Sequence, residues 1–206
     1  NLALAWTETY QAESPDVRIS VTGGGSGTGI AALINGTVDI ANASRKITPE
    51  ETALCEKNGV KKATEIAIGF DGIVLANSRK ASLFKVTRRE LFLALAKNVP
   101  DPANPTSLVA NPYKTWNQIN KALPAQKIEV LGPPPTSGTR DAFAELVLEN
   151  GCSTFAWIKS LKDVDEGRFK RVCDSIREDG AYVEAGENDN LIVQKLEANP
   201  KALGIF

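Results

Sequence analysis

Apolar residues fall into short runs along this chain, some alternating with polar positions and some spaced three or four apart, with glycine, proline and asparagine between them. Alternation over residues 17–21 predicts a strand, and the apolar spacing of residues 29–34 predicts a short helix that stops near Asn35-Gly36. Residues 38–43 form a second apolar run of strand length. Strand, glycine turn, helix and strand in that order are a βαβ unit, which calls for a parallel sheet. Thr48-Pro49-Glu50-Glu51 reads as a helix start with Thr48 as N-cap, Pro49 at the first helical position and Glu51 closing a capping box, the helix running to Lys57.

Two apolar stretches in residues 65–77 are interrupted by Phe70-Asp71-Gly72, a pattern read as a kinked crossing between two lobes. Residues 87–97 predict a second capped helix, with Thr87 and Glu90 as its capping pair and Leu91, Phe92 and Leu95 on one face. The proline- and asparagine-rich residues 98–113 read as a loop and residues 116–119 as one helical turn. A strand over residues 127–131 then feeds a loop of small residues and a helix over 140–148. Further on come a helix over 154–161, a polar connector, and a helix after GENDN (residues 186–190) with Leu191, Val193 and Leu196 inward. A last strand is expected over 202–206.

Composition narrows the function classes. At 206 residues, 42% apolar and 24% charged, the chain is an ordinary globular one, large enough for one big domain or two small lobes. A net charge of -1 argues against nucleic acid as the main partner and against a polybasic membrane surface, so any anion site must be local. No apolar run reaches the roughly 20 residues of a membrane-spanning helix. The opening NLALAWTETY has neither the basic start nor the cleavage site of a signal peptide, so the chain is expected to be mature or cut. The chain has no histidine, which removes Ser-His-Asp and Cys-His nucleophiles and histidine-ligated zinc. Of three cysteines, Cys152 and Cys173 lie 21 apart without CxxC spacing. They either form a disulfide in an oxidising compartment, which leaves Cys55 unpaired or paired outside this chain, or all three are buried free thiols.

Two loops carry candidate chemistry. VTGGGSGTGI (residues 21–30) sets Ser26 and Thr28 among five glycines, so that hydroxyls and amides can surround an oxyanion at close range. It lacks the Lys-Ser/Thr of a P-loop and fits the dinucleotide fingerprint only loosely, and a purely structural turn is the alternative. TSGTR (residues 136–140) repeats the design after a strand, placing Ser137, Gly138 and Thr139 at a helix start beside Arg140. Arginine matches oxyanions with paired donors, and a cation in the first turn opposes the helix dipole, so a merely solvated Arg140 leaves that conflict unexplained. ANASRKI ends a predicted strand with Ser44 and Arg45, on the rim where open α/β sheets bind ligands. Asp71 is a carboxylate within an apolar stretch. It is either salt-bridged or the acceptor of a proton on a hydrogen-phosphate ligand, a role that would exclude sulfate.

Taken in order, VTGGGSGTGI, VDIANASRKI, IGFDGIVLAN, LGPPPTSGTRDAF and GENDNLIVQKLEANPKALGIF resemble the phosphate-binding proteins of bacterial ABC importers, the periplasmic PstS family. The resemblance implies a two-lobed α/β binding-protein fold of type II, with parallel and mixed sheets flanked by helices and the ligand in the inter-lobe cleft. Residues 1–75 would belong to the first lobe and 76–206 to the second. It implies a non-enzymatic monomer, periplasmic or secreted and without cofactor, that passes inorganic phosphate to membrane permease and ATPase subunits. By motif, Ser26, Gly27 and Thr28 match first-loop donors, and Ser137, Gly138 and Thr139 match second-lobe donors. Ser44 and Arg45 stand where some members carry a proton-accepting aspartate, so that role passes to Asp71. Pro133 stands where some members carry the phosphate arginine, leaving Arg45 and Arg140 as candidates. The family's opening strand and Ser-Thr loop do not precede Asn1, nor do its closing strands follow Phe206, so the resemblance implies a fragment. A binder of another oxyanion, or an adhesion protein on the same fold, is the alternative reading, and a phosphoryl-transfer enzyme is a third.

Overall fold

The computed structural model describes residues 2–206 apart from 24, 61, 71, 83 and 187. In chain order the elements are α1 (Leu2–Glu13), α2 (Ser26–Ile34), α3 (Pro49–Lys57), β1 (Leu75–Asn77), α4 (Arg88–Leu95), β2 (Asn98–Pro100) and β3 (Leu108–Ala110). There follow α5 (Trp116–Ile119), β4 (Val130–Gly132), α6 (Gly138–Phe143), a π-helical turn (Ala144–Leu148), α7 (Glu149–Cys152), α8 (Ala156–Val164), α9 (Glu166–Cys173), β5 (Tyr182–Glu184), α10 (Asp189–Ala198) and β6 (Leu203–Ile205).

The main sheet has the order β1-β6-β4-β5, with β4 parallel to both neighbours and β1 antiparallel on the edge. Side chains alternate across it, as the pleat requires. Val130, Tyr182, Leu203 and Ile205 face the larger core, with Phe92, Trp116, Phe143, Phe169 and Ile158. Leu131 and Val183 face the smaller core under α10, with Ile192 and Leu196. A Cβ at Gly204 would meet Ile192 and Leu196 within 2.9 Å, so the absent side chain lets α10 lie directly on β6.

Local hydrogen bonds place the helices where the sequence predicts them. The Glu51 amide donates to Thr48 Oγ1 at 3.2 Å and the Thr48 amide donates back to Glu51 Oε2 at 2.9 Å. Thr87 and Glu90 repeat the box at 3.2 and 2.7 Å. Gly59, at φ +89°, terminates α3 in the left-handed region.

Other expectations are corrected. Residues 98–113 are not one loop, because β2 and β3 pair in a hairpin with Val99 opposite Val109. The polar connector contains α9, whose Phe169, Val172 and Cys173 are buried. The helix expected over 140–148 starts at Gly138 and passes into the π turn. On α10 the inward residues are Ile192 and Leu196, four apart on one face, whereas Leu191 and Val193 lie to either side of that face and are exposed. The predicted βαβ unit does not form among the described residues. Residues 17–21 and 38–43 pair with no strand, and Ile19 and Ile40 are exposed. Of the long apolar run 65–77 only β1 enters the sheet. A strand needs a ladder partner from elsewhere in the chain, and an alternating pattern does not supply one.

The first 72 residues accordingly bury little: Ile30 and Cys55 are the fully buried apolar side chains among those described. α2 and α3 pack together, tied by Asn58 Nδ2 donating to the Ile34 carbonyl at 3.1 Å. Cys152 and Cys173 form a disulfide, and Cys55 is a buried free thiol.

Asp174 follows the disulfide at the end of α9. Its Oδ1 is buried with no hydrogen-bond partner among the described residues. Burial, with the nearby Glu149 carboxylate second, pushes its carboxyl up to about 7. That value lies above the ordinary 3.8, so the folded state holds the proton more tightly than the unfolded one. Stability attributable to this group is therefore complete below about pH 4 and is lost as pH rises through about 7. Asp174→Asn is expected to flatten this part of the pH profile and to raise the melting temperature above pH ~7. Thermal melts of both proteins across that range check it, and parallel profiles would refute it.

Candidate functional site

Three segments converge at the carboxyl end of β4. The first is the start of α2. Its N-cap is Gly25, which has no side chain to cap with, and the first intrahelical bond runs from the Gly29 amide to the Gly25 carbonyl at 3.0 Å. The amides of Ser26, Gly27 and Thr28 precede that bond and have no intrahelical acceptor. The second segment is 42–44, joined to the first where the Ser44 amide donates to Ser26 Oγ at 2.9 Å. The third is the loop after β4, through Pro133, Pro134 and Pro135 to Ser137, the N-cap of α6. Ser137 Oγ accepts from the Thr139 amide at 3.2 Å, and the Ser137 amide donates to the Pro134 carbonyl at 3.0 Å. Tyr182 supports this loop from below, its hydroxyl donating to the Pro133 carbonyl at 2.6 Å.

Between these segments lies a cavity of about 210 Å³ lined by residues 25–26, 42–44 and 137–139. It is smaller than the range for drug-sized ligands and suits a small one. Every lining residue among those described is uncharged. The lining residues are serines, a threonine, an asparagine, an alanine and glycines, whose hydroxyl, amide and backbone N–H groups can donate hydrogen bonds without introducing a counter-charge.

The walls touch at Gly138. A Cβ there would fall 2.1 Å from Ser26 Oγ and 2.9 Å from Ser44 Cβ, so only a bare α-carbon admits this approach. Ser26 and Ser137 are almost fully buried, whereas Ser44 and Asn42 are exposed at the mouth.

Of the sequence-predicted residues, the fold thus brings together Ser26, Ser44, Ser137, Gly138 and Thr139. Gly27 and Thr28 continue the first turn of α2 but do not line the cavity, and Thr28 is exposed. Both arginines point elsewhere. Arg45 binds Glu51 through Nη2 at 2.7 Å and Nη1 at 2.8 Å, and donates from Nε to Asp141 Oδ2 at 2.9 Å. The Glu51 carboxylate holds its guanidinium pKa further above the usual value, against the opposing effect of burial, and Arg45 in turn holds Glu51 below the carboxylate range. Arg140 lies over the Tyr182 ring at 4.4 Å, donates to the Pro133 carbonyl at 3.3 Å and stands 3.9 Å from Glu184. Asp71 lies outside the described residues. Asn42 and Ala43 line the cavity without having been singled out, and their signal was in the ANAS segment that also holds Ser44.

Among the described residues no group of three or more potential metal ligands comes together, and no helix is long and apolar enough to cross a membrane.

Comparison with known proteins agrees with this architecture. The model of the PBP superfamily domain matches residues 1–206. Protein SphX of Synechococcus elongatus is 26% identical over 98% of this chain and 49% of its own length. The phosphate-binding protein PstS of Staphylococcus saprophyticus is 26% identical over 97% of the chain and 49% of its own. The chain spans about half the length of these curated relatives. An ABC-type phosphate transport receptor from Vibrio cholerae shares the fold with a TM-score of 0.57, at 22% identity, over 97% of this chain and 64% of that one.

Proposed function

This chain belongs to the PBP superfamily along its whole length, and on that premise we propose that it binds inorganic phosphate between two lobes, residues 1–75 and 76–206, and delivers it to the permease and ATPase subunits of an ABC importer. The observation that carries the reading is the small, uncharged cavity where residues 25–26, 42–44 and 137–139 meet. Neutral donors there compensate a desolvated oxyanion by hydrogen bonding, with about 1.5–3 kcal/mol for each bond to a charged group. Ser26, Ser44, Ser137 and Thr139, with the amide of Gly138, are the assigned lining donors; Gly27 and Thr28, outside the lining, are assigned through the free amides of the first turn of α2. Arg45 and Arg140 act as charges behind the lining, and Asp71 is assigned as acceptor of the phosphate proton. The name of the staphylococcal relative, a phosphate-binding protein, supports the choice of ligand.

Binding without turnover fits the lining, which among the described residues presents no paired base and nucleophile, in a chain without histidine. The disulfide supports a periplasmic or secreted location, where thiols are oxidised. A monomer suffices for the cavity described.

Calorimetry with phosphate, sulfate and arsenate tests the assignment, on the 206-residue chain and on any longer polypeptide that carries it. Phosphate and arsenate are expected to bind and sulfate to be rejected by a factor of about 10⁴. Equal affinity for sulfate and phosphate would remove the role given to Asp71 and favour a general oxyanion binder. No heat with phosphate from either polypeptide would overturn the function.

A further inference from the structure

Two walls that close on an anion need contacts of their own to hold the closed form. Among the described residues, Arg45–Asp141 is the ion pair that joins residues 1–75 to residues 76–206. Its geometry is prepared on both sides. On one side, Glu51 takes both Nη groups of Arg45 and the Lys46 carbonyl accepts from Nη1 at 3.0 Å, which leaves Nε directed outward. Glu51 is in turn held at the head of α3 by the Thr48 amide. On the other side, Asp141 lies in the first turn of α6, its amide donating to the Ser137 carbonyl at 3.1 Å. Asp141 therefore moves with the 137–139 wall, and Arg45 with the neighbouring Ser44 and the 42–44 wall.

We propose that Arg45 and Asp141 form a closure latch: a pair of positioning residues, not contacting the ligand, whose ion pair keeps the 42–44 and 137–139 walls together and so slows release of the bound anion. The inference rests on the two-lobed phosphate clamp proposed for this chain. The side chains of Arg45 and Asp141 are 21% and 41% exposed, so water and salt reach the pair. Such a contact is weak enough to break at each opening, as a latch must be.

Amide hydrogen exchange of the ligand-free protein tests the latch without reference to phosphate. Asp141→Ala is expected to speed exchange of residues 42–45 and 137–141 about two- to fivefold, the range for a partly exposed ion pair, while leaving α4 and α9 unchanged. In an Arg45→Ala background the same substitution is expected to add nothing, because the partner is already gone. An equal effect in both backgrounds would assign Asp141 a purely local helix-end role and overturn the latch, as would no effect in the native background. The milder Asp141→Asn keeps the shape and removes the charge, and should reproduce the change if folding of the alanine variant is impaired. Phosphate release by stopped flow is expected to quicken by the same factor. Absence of phosphate binding in the unmodified protein would count against the proposed function, and the exchange cycle would still decide for or against the latch.

Discussion

Gly138→Ala is expected to weaken phosphate binding by about one to two orders of magnitude while leaving the melting temperature within a few degrees of the parent. The added methyl would sit 2.1 Å from Ser26 Oγ and 2.9 Å from Ser44 Cβ, well inside contact distance. Overpacking of this kind costs about 1–3 kcal/mol, and each 1.4 kcal/mol is about tenfold in affinity. The strain has an easy outlet, because the clashing atoms belong to two different walls that can move apart. The main core, built around Phe92, Phe143 and Phe169, is not involved. The cost should therefore appear in closure of the site and hardly at all in unfolding. Calorimetry with phosphate beside a thermal melt checks both halves. Unchanged affinity would mean that the walls are not in contact when ligand is bound.

Reduction of the Cys152–Cys173 disulfide is expected to lower the melting temperature by about 6–12 °C. The bond closes a loop of 21 residues that contains α8 and α9. Closing a loop of that length removes about 3 kcal/mol of entropy from the unfolded chain, and about 2–4 °C follows from each kcal/mol in a chain of this size. Both cysteines are fully buried in the larger core, so the bond also fixes α9 against α7. Melts with and without reductant check this, and the Cys152→Ala/Cys173→Ala double variant should match the reduced protein. No shift on reduction would show that packing alone holds α8 and α9.

Prediction from sequence succeeded where the deciding interaction lies within a few residues. The boxes at Thr48 and Thr87 join residues three apart, so sequence reading locates α3 and α4 from the cap alone. The start of α6 was readable only to within two residues: the sequence puts it at Arg140, whereas Ser137 caps the Thr139 amide and the helix begins at Gly138. The β2–β3 hairpin was missed because Pro100, Pro102 and Pro105 dominate the local pattern, while pairing of Val99 with Val109 spans ten residues. α9 was missed because its polar face, from Glu166 to Arg171, outweighs the three residues it buries.

Glycine density, hydroxyls and caps mark which segments can build an anion site, and they do so from the chain alone, since backbone reach and side-chain chemistry belong to each residue wherever it sits. Serine carries its hydroxyl one bond from Cβ, so Ser26 and Ser137 donate close to where their backbone is placed. Long side chains are different. Arg45 and Arg140 were equally good candidates for the ligand until folding brought Glu51 and Asp141 to one guanidinium and the Tyr182 ring to the other. Several rotatable bonds let an arginine reach in many directions, and the nearest carboxylate or ring selects one of them. The contact of Gly138 with Ser26 and Ser44 was likewise outside the reach of sequence, because residues separated by about a hundred positions meet only when the chain has folded.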